Sequence, residues 1–300
     1  MFKIYNYYRQ YNEGKQIPNY KDFYKKFSND REFGGDFSHY DHLVKHRFMN
    51  IIGHVWNIIL RKNPHNILDM GCGNGSNLPL SKIFPFISYH GLDYAEKALQ
   101  NARMQYPDVT FHAGDAFKTE FYDKTFDMII LSNVLILYDK EDDRLKLFSE
   151  ISRILNDKGV FVLVVYNESC LLKKSIQLSR LIGKLLQQNL PKDFDGVYFN
   201  KREIKELAEK AHFAITESIF TGHLYGILES VRYLNMSKYN RKFGKSEGES
   251  KKEHPQNILR DLQRQAGHLK WLTSLFYLIS KINPKMFAHY SIYTLCKWTR

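Results

Sequence analysis

The chain has 300 residues, an apolar fraction of 43% and a formal net charge of +12, which favours a globular protein with a sizeable core. Its three cysteines are widely separated, so neither a disulfide framework nor a CxxC metal pair is present. No run of about eighteen apolar residues is found, which argues against a membrane-spanning helix. The basic excess favours anionic partners, although an AT-rich genome produces the same composition.

The first fifty residues are polar, aromatic and rich in histidine, and they lack the apolar segment of a secretory signal. Between His42 and Leu60, apolar residues recur at helical spacing. We therefore predict a helical N-terminal cap over residues 1–50 and a cytoplasmic protein.

From Asn66 onward, short apolar segments alternate with amphipathic ones, a pattern typical of a parallel sheet covered by helices on both faces. Helices are predicted over YAEKALQNARMQY (94–106), before Pro107, and over EDDRLKLFSEISRIL (141–155), where we expect Gly159 to stop the helix. The predicted strands are NILDM (66–70), SYHGLD (88–93), VTFH (109–112), FDMIILSN (126–133) and VFVLVVY (160–166).

Beyond the fifth strand the pattern is less regular. A helix is predicted over KREIKELAEKAHF (201–213), a sixth strand over AITESIF (214–220) and a final strand over SIYTLCKW (291–298). The predicted organisation is a helical cap (1–50), an α/β core (51–220 and 288–300) and a helical insertion (221–287).

A glycine-rich loop follows the first predicted strand, in the sequence ILDMGCGNGS. Gly71, Gly73 and Gly75 permit positive φ and let a ligand lie against the backbone, and the next helix start offers free N–H groups. The GxGxG spacing differs from the dinucleotide GxGxxG, and the GK[ST] of a phosphate loop is absent. The loop therefore indicates a nucleotide-like ligand and argues against NAD and ATP.

Polar residues stand at the carboxyl ends of the next strands, where open parallel sheets bind their ligands. Asp93 ends strand two about twenty residues after the loop, a position suited to the ribose hydroxyls of an adenosine; capping of the following helix is the alternative. Asp115 follows strand three, and Ser132 and Asn133 end strand four. We expect Asp69, Asp93, Asp115 and Asn133 to face one crevice.

Five segments of this chain resemble the successive motifs of class I S-adenosylmethionine-dependent methyltransferases, in order and at the usual spacings: ILDMGCGNG, GLDYAEKAL, FHAGDAF, FDMIILSNVLILY and SEISRILNDKGVFVLVVYN. The resemblance implies a Rossmann-like, doubly wound α/β fold with seven strands, the last antiparallel. It also implies S-adenosylmethionine as cofactor and S-adenosylhomocysteine as product. The chain is similar overall to bacterial methyltransferases of small molecules and cell-surface glycans.

The same resemblance implies roles for the residues of these motifs. The glycine loop and the acid before it would hold the methionine end, the acid ending strand two the ribose, and FHAGDAF the adenine. The end of strand four would line the passage where cofactor meets acceptor. The predicted cofactor-binding residues are Asp69, Gly71, Cys72, Gly73, Gly75, Leu92, Asp93, Tyr94, Asp115, Ala116, Phe117, Ser132 and Asn133.

Some acceptors are disfavoured by the motifs. The end of strand four reads SNVL where methyltransferases of base amines have [DN]PP[YFW], and no Pro-Cys pair supplies the nucleophile of cytosine C5 methylation. The acids between 139 and 143 are typical of a helix N-terminus, so no metal is predicted. We favour methyl transfer to an oxygen of a small molecule, sugar or glycolipid precursor. An RNA or protein acceptor, and cofactor binding without catalysis, are the alternatives.

An oxygen acceptor would benefit from a general base. The candidate catalytic residues are His39, His42 and His46 in the cap, His223 after strand six, and Asn133. We expect the cap and the insertion, both rich in aromatic residues, to roof the crevice beside Asn133. Basic amphipathic stretches at residues 171–186 and 268–282 would permit peripheral contact with the inner membrane surface. Nucleic acid is a less favoured partner, because no RNA-binding module is recognisable.

Overall fold

The computed structural model describes residues 42–168 (without 74, 76, 78–79, 82–83 and 85), 174, 198–221, 288 and 290–298. Side chains are described from residue 51 onward. The predicted cap up to residue 41 and the insertion over residues 222–287 lie outside this set.

Helices and strands alternate along the described residues as the sequence predicts. The helices are α1 (His42–Lys62), α2 (Glu96–Gln105), α3 (Glu141–Ile154) and α4 (Lys201–Lys210), with a 3-10 turn at Leu135–Leu137. The strands are β1 (Asn66–Met70), β2 (Ser88–Asp93), β3 (Thr110–Ala113), β4 (Phe126–Ser132), β5 (Leu155–Tyr166), β6 (Phe213–Thr221) and β7 (Tyr290–Lys297). None of these helices is both long and apolar enough to cross a membrane.

The strands form one seven-stranded sheet in the order β3-β2-β1-β4-β5-β7-β6. Strands β1 to β5 pair in parallel, whereas β7 pairs antiparallel with β5. This confirms the Rossmann-like fold with its last strand antiparallel. The strand order reverses between β1 and β4, and ligands of such sheets bind at the carboxyl ends beside this reversal.

The core lies on both faces of the sheet. One face packs against α3 and α4, which contribute Phe148 and Ile204, and the other packs against α1, which contributes Ile51 and Val55. Because β4 and β5 lie between these two layers, both faces of each strand are buried. That position explains their nearly continuous apolar sequences.

The ends of the helices follow the local sequence. Three acids occupy the first turn of α3, where the helix dipole favours negative charge. Helix α4 begins with a capping box, in which the Asn200 side chain accepts the Glu203 N–H and the Glu203 carboxylate accepts the Asn200 N–H.

The expected role of Gly159 as a helix stop is wrong. Helix α3 ends at Ile154 and β5 begins at Leu155, whereas the other strands agree with their predicted bounds within one residue. Pairing with β4 shifts register between Phe126–Leu155 and Met128–Val160. A Cβ at position 159 would lie 2.7 Å from the Leu155 side chain, so a glycine is required here by close packing.

Candidate cofactor site

The glycine loop leaves β1 and is held against the end of β2. The N–H groups of Gly71 and Cys72 donate to the carbonyl of Leu92, at 2.7 and 3.0 Å. Gly71, Gly73 and Gly75 have φ values of 75°, 53° and 99°, in the left-handed region that glycine adopts readily. The sequence therefore uses glycine where this backbone demands it.

Two of these glycines serve different purposes. A Cβ on Gly71 would lie 2.4 Å from Cγ2 of Val134, the second residue after β4. Gly71 is thus explained by close packing within the protein. A Cβ on Gly73 would meet no atom of the described residues within 4 Å, so these residues leave space for a ligand beside Gly73.

The thiol of Cys72 is packed beneath the loop. A Cβ on Gly91 would lie 2.9 Å from Cys72 Sγ and 2.9 Å from Cδ1 of Phe111, so Gly91 leaves the room that the thiol fills. Burial raises the pKa of Cys72 well above its usual value, and the carboxylates of Asp69 and Asp93 raise it further. Cys72 therefore supports the loop as an uncharged thiol.

Asp93 joins the glycine loop to the start of α2. Its Oδ2 accepts the Gly73 N–H at 2.8 Å, and its Oδ1 accepts the Ala95 N–H at 2.9 Å. Burial raises the pKa of Asp93, while the hydrogen bonds from Ala95, Gly73 and Tyr94 oppose this increase. Asp93 therefore makes a hydrogen bond at the start of α2, which the sequence suggested as the alternative to ribose binding. The same carboxylate also bonds to the glycine loop.

A second carboxylate, that of Asp69, lies at the end of β1 and is 1% exposed. The side-chain nitrogen of Asn77 lies 3.2 and 3.3 Å from its two oxygens. Burial raises the pKa of Asp69 to about 7, Asn77 opposes this change, and the charge of Asp93 adds to it. The site therefore contains a carboxyl group that titrates near neutral pH.

On the predicted adenosine side, Leu92 is buried in the core, whereas Tyr94 is 36% exposed. The Asp115 carboxylate accepts the N–H of Phe117 at 3.0 Å, and the Phe117 ring contacts the Tyr138 ring edge-on at 4.9 Å between centroids. Ala116 and Phe117 are partly buried against the core. The exposed Tyr94 ring is the surface on which a flat ligand could pack.

The loop that carries Asp115 is tied to α3. Glu150 Oε1 accepts the N–H and the hydroxyl of Thr119, at 2.7 and 2.6 Å, and pairs with Arg153 at 2.6 Å. Arg153 also donates to the carbonyl of Phe121 at 2.8 Å. This network fixes the connection between β3 and β4 from beneath.

Asn133 follows β4 with a φ of 58°. Its N–H donates to the Val164 carbonyl at 2.9 Å, and its Nδ2 lies 3.5 Å from Ser132 Oγ. The Oδ1 atom is buried, and no hydrogen-bond partner is found for it within the described part of the chain. An acceptor in this situation is costly unless a ligand supplies the donor.

The histidine assignments remain predictions. His39 and His223 lie outside the described residues, and the side chains of His42 and His46, on α1, do so as well. Two further residues form the site and are absent from the sequence-based predictions: Asn77 and Val134. The amide of Asn77 directly before the apolar LPL was the available signal, whereas the contact between Val134 and Gly71 has no local signal.

Comparison with known proteins identifies residues 67–159 as matching a family described as "Methyltransferase domain". A demethylmenaquinone methyltransferase of Thermotoga maritima is 34% identical over 111 residues, covering 37% of this chain and 47% of that protein. An uncharacterized protein of Methanocaldococcus jannaschii is 30% identical over 160 residues, covering 52% and 64%. The chain thus spans less than two thirds of both relatives. A solved protein of Pyrococcus horikoshii aligns with a TM-score of 0.47 and 22% identity, covering 64% of this chain and 93% of that one.

The residues present fit the cofactor that the sequence predicts. Among the described residues, no atom lies within 4 Å of a Cβ built on Gly73. The Tyr94 ring is partly exposed, and the carboxylates of Asp93 and Asp69 accept hydrogen bonds from Gly73 and Asn77. Residues 67–159 thus match a methyltransferase domain family, and they lie within a Rossmann-like sheet whose carboxyl ends carry this site. S-adenosylmethionine is its cofactor.

Proposed function

We propose that the chain transfers the methyl group of S-adenosylmethionine to an oxygen of a small molecule, sugar or glycolipid precursor. The observation that carries this proposal is the buried Oδ1 of Asn133, which has no donor among the described residues. It stands directly after β4 and next in the chain to Val134, whose side chain lies beside Gly71 of the glycine loop. A hydroxyl group is a donor of the kind this atom requires.

The backbone around Asn133 holds the amide in place. Asparagine tolerates the left-handed conformation better than most residues, and the bond to Val164 fixes the turn against β5. A hydroxyl that donates to Oδ1 keeps its lone pairs available for the methyl carbon. Alignment of this kind supplies much of the rate of a displacement reaction.

The cofactor supplies an electrophilic methyl group on a sulfonium. In the transfer, a bond forms between the acceptor oxygen and the methyl carbon, the sulfur–carbon bond breaks, and S-adenosylhomocysteine leaves. The hydroxyl proton passes to a base or to solvent, and His39, His42, His46 and His223 remain the proposed bases. The acceptor class is supported by the SNVL sequence at the end of β4, which departs from the [DN]PP[YFW] of base-amine methyltransferases. The Thermotoga relative is named as a demethylmenaquinone methyltransferase.

Transfer of radioactive methyl groups into fractionated cell extract tests the proposal. We expect label in the small-molecule, glycan or lipid fraction. Hydriodic acid should release that label as methyl iodide, as it does from an O-methyl ether and not from a C-methyl group. Label confined to RNA or protein would overturn the acceptor class, and cofactor binding with no label in any fraction would overturn catalysis.

A matched pair of variants isolates the amide. Asn133→Gly keeps the left-handed backbone accessible but removes Oδ1, and should lower turnover about 100-fold with little change in cofactor affinity. Asn101→Gly makes the same substitution at a partly exposed position of α2. It therefore measures what a new glycine does to turnover through the fold alone. Unchanged turnover in Asn133→Gly would remove Asn133 from the reaction.

A further inference from the structure

A pair of buried polar side chains, Asp69 and Asn77, lies at the base of the glycine loop. Asp69 is 1% and Asn77 is 4% exposed. A single amide nitrogen lies within 3.3 Å of both carboxylate oxygens, so one group restrains both. The Asn77 carbonyl accepts the Leu80 N–H at 3.1 Å, which anchors the asparagine to the segment that follows the loop.

Apart from Asn77, the described groups that act on the Asp69 carboxylate disfavour its negative charge. Asp93 acts on it as a like charge, and Cys72 and Tyr89 are buried, ionisable groups that sense Asp69. No ion pair to Asp69 is found among the described residues, and its only described hydrogen-bond donor is the Asn77 amide. Donation to a carboxylate favours the charged form, so Asn77 is the neighbour that opposes protonation.

We propose that Asn77 is a positioning residue that holds Asp69 as an oriented carboxylate, so that the glycine loop can receive the cationic methionine end of the cofactor. The proposal rests on the function proposed above. S-adenosylmethionine carries an ammonium and a sulfonium, and a buried anion attracts such charges more strongly than an exposed one does.

Binding and proton release are coupled by this arrangement. Because burial raises the pKa of Asp69 to about 7, part of the protein carries a protonated Asp69 at neutral pH. A cationic ligand must displace that proton, so its affinity falls as the pH drops below 7. Removal of the Asn77 amide favours the protonated form and moves this loss of affinity to higher pH.

The direct test is a ¹³C-carboxyl NMR titration of the ligand-free protein, with the Asp69 signal assigned from Asp69→Asn. In Asn77→Leu the midpoint of Asp69 should rise by about one pH unit, the effect of one lost hydrogen bond to a charged group. Asn77→Thr, which keeps a donor, should restore part of the difference and serves as the second variant if Asn77→Leu does not fold. Asn156→Leu is the matched control. Asn156 donates to Asp127 at 2.6 Å in a similar pair near the amino end of β4, so its loss should leave the Asp69 midpoint unchanged.

The second measurement is calorimetric binding of S-adenosylmethionine between pH 6 and 9. Asn77→Leu should bind about 5-fold more weakly than wild type near pH 7, about 10-fold more weakly near pH 6, and approach wild-type affinity near pH 9. An unchanged Asp69 midpoint in both Asn77 variants would overturn the proposal whether or not the cofactor binds. A raised midpoint with an affinity loss that is equal at every pH would also overturn it. Absence of binding to the wild-type protein at every pH would instead refute the proposed function.

Discussion

The backbone N–H of Gly73 donates a 2.8 Å hydrogen bond to Oδ2 of Asp93, twenty residues further along the chain. The carboxylate that is predicted to bind the ribose is therefore also a support of the loop that is predicted to bind the methionine end. Changes at either residue should affect both halves of the cofactor site.

Asp93→Ala should weaken S-adenosylmethionine and S-adenosylhomocysteine binding about 10- to 100-fold, because it removes an acceptor for the ligand and frees the Gly73 N–H. Asp93→Asn, which keeps one carbonyl acceptor, should retain an intermediate affinity. Isothermal calorimetry measures both. Undiminished affinity in Asp93→Ala would exclude Asp93 from the site.

Gly73→Val should abolish cofactor binding in a folded protein. Its side chain would enter the open space beside the loop, and its φ of 53° is strained for a β-branched residue. Circular dichroism checks folding and calorimetry checks binding. Normal affinity in the folded variant would show that the ligand lies elsewhere.

Gly71→Ala should act through stability, since its Cβ would meet Val134 at 2.4 Å. We expect a loss of about 2 kcal/mol in the free energy of unfolding, measured by urea denaturation. Adding Val134→Ala should recover part of that loss. A double variant no more stable than Gly71→Ala would show that the Val134 contact is not the cause.

The pH dependence of stability should carry the signature of Asp69. Its pKa is about 7 in the folded protein against 3.8 for the free group, because of burial, so the folded state binds more protons between these values. Its contribution to the free energy of unfolding therefore falls as pH rises from about 4 to about 7, by on the order of 4 kcal/mol. Asp69→Asn should lose this decrease in urea titrations between pH 5 and 8, and parallel curves for the two proteins would contradict the assignment.

The network under the Asp115 loop should stabilise the fold. Arg153→Met removes the hydrogen bonds of Arg153 to four residues: Glu150, Asp123, Phe121 and Thr119. It should cost about 1–2 kcal/mol, since Arg153 is partly exposed. Arg202→Met, which breaks an exposed pair with Glu206, should change stability by less than about 0.5 kcal/mol. Equal effects would show that the Arg153 network is no more than a surface ion pair.

Residues 222–250, part of the predicted acceptor-side insertion, should be needed for methyl transfer and not for cofactor binding. Their deletion should abolish turnover while S-adenosylmethionine affinity stays within about threefold of wild type. Unchanged turnover would contradict the assignment of this segment to the acceptor.

The centre of the sheet was predictable because strands such as β4 are buried on both faces. A short, nearly continuous apolar segment such as FDMIILS predicts a strand buried between two helical layers. The amphipathic segments that flank it in the sequence predict those helices. The start of β5 was not predictable in this way. Leu155 pairs with Phe126 across the sheet, and Gly159 packs within its own strand, so long-range pairing overrode the local helix-stop signal.

The site was predictable where function requires a residue type at a strand end, as for Asp93. Its partners were harder to find, because they are determined by contacts between distant segments. The Glu150–Thr119 bonds join residues 31 apart, and the Gly71–Val134 contact joins residues whose separation has no periodic signature. Patterns of single residues indicate the carboxylates, whereas only the three-dimensional structure shows which amide restrains them.

The Cys72 thiol packs against Gly91 of β2 beneath the glycine loop, so its reactivity can be used to measure opening of that loop. An alkylating reagent can reach this buried thiol only when the loop lifts away from β2, so the alkylation rate measures how often that happens. The rate should fall in proportion to the fraction of protein whose loop is held closed by a bound ligand. Protection of Cys72, read by mass spectrometry of intact peptides, would allow unlabelled cell metabolites to be screened for occupants of the site.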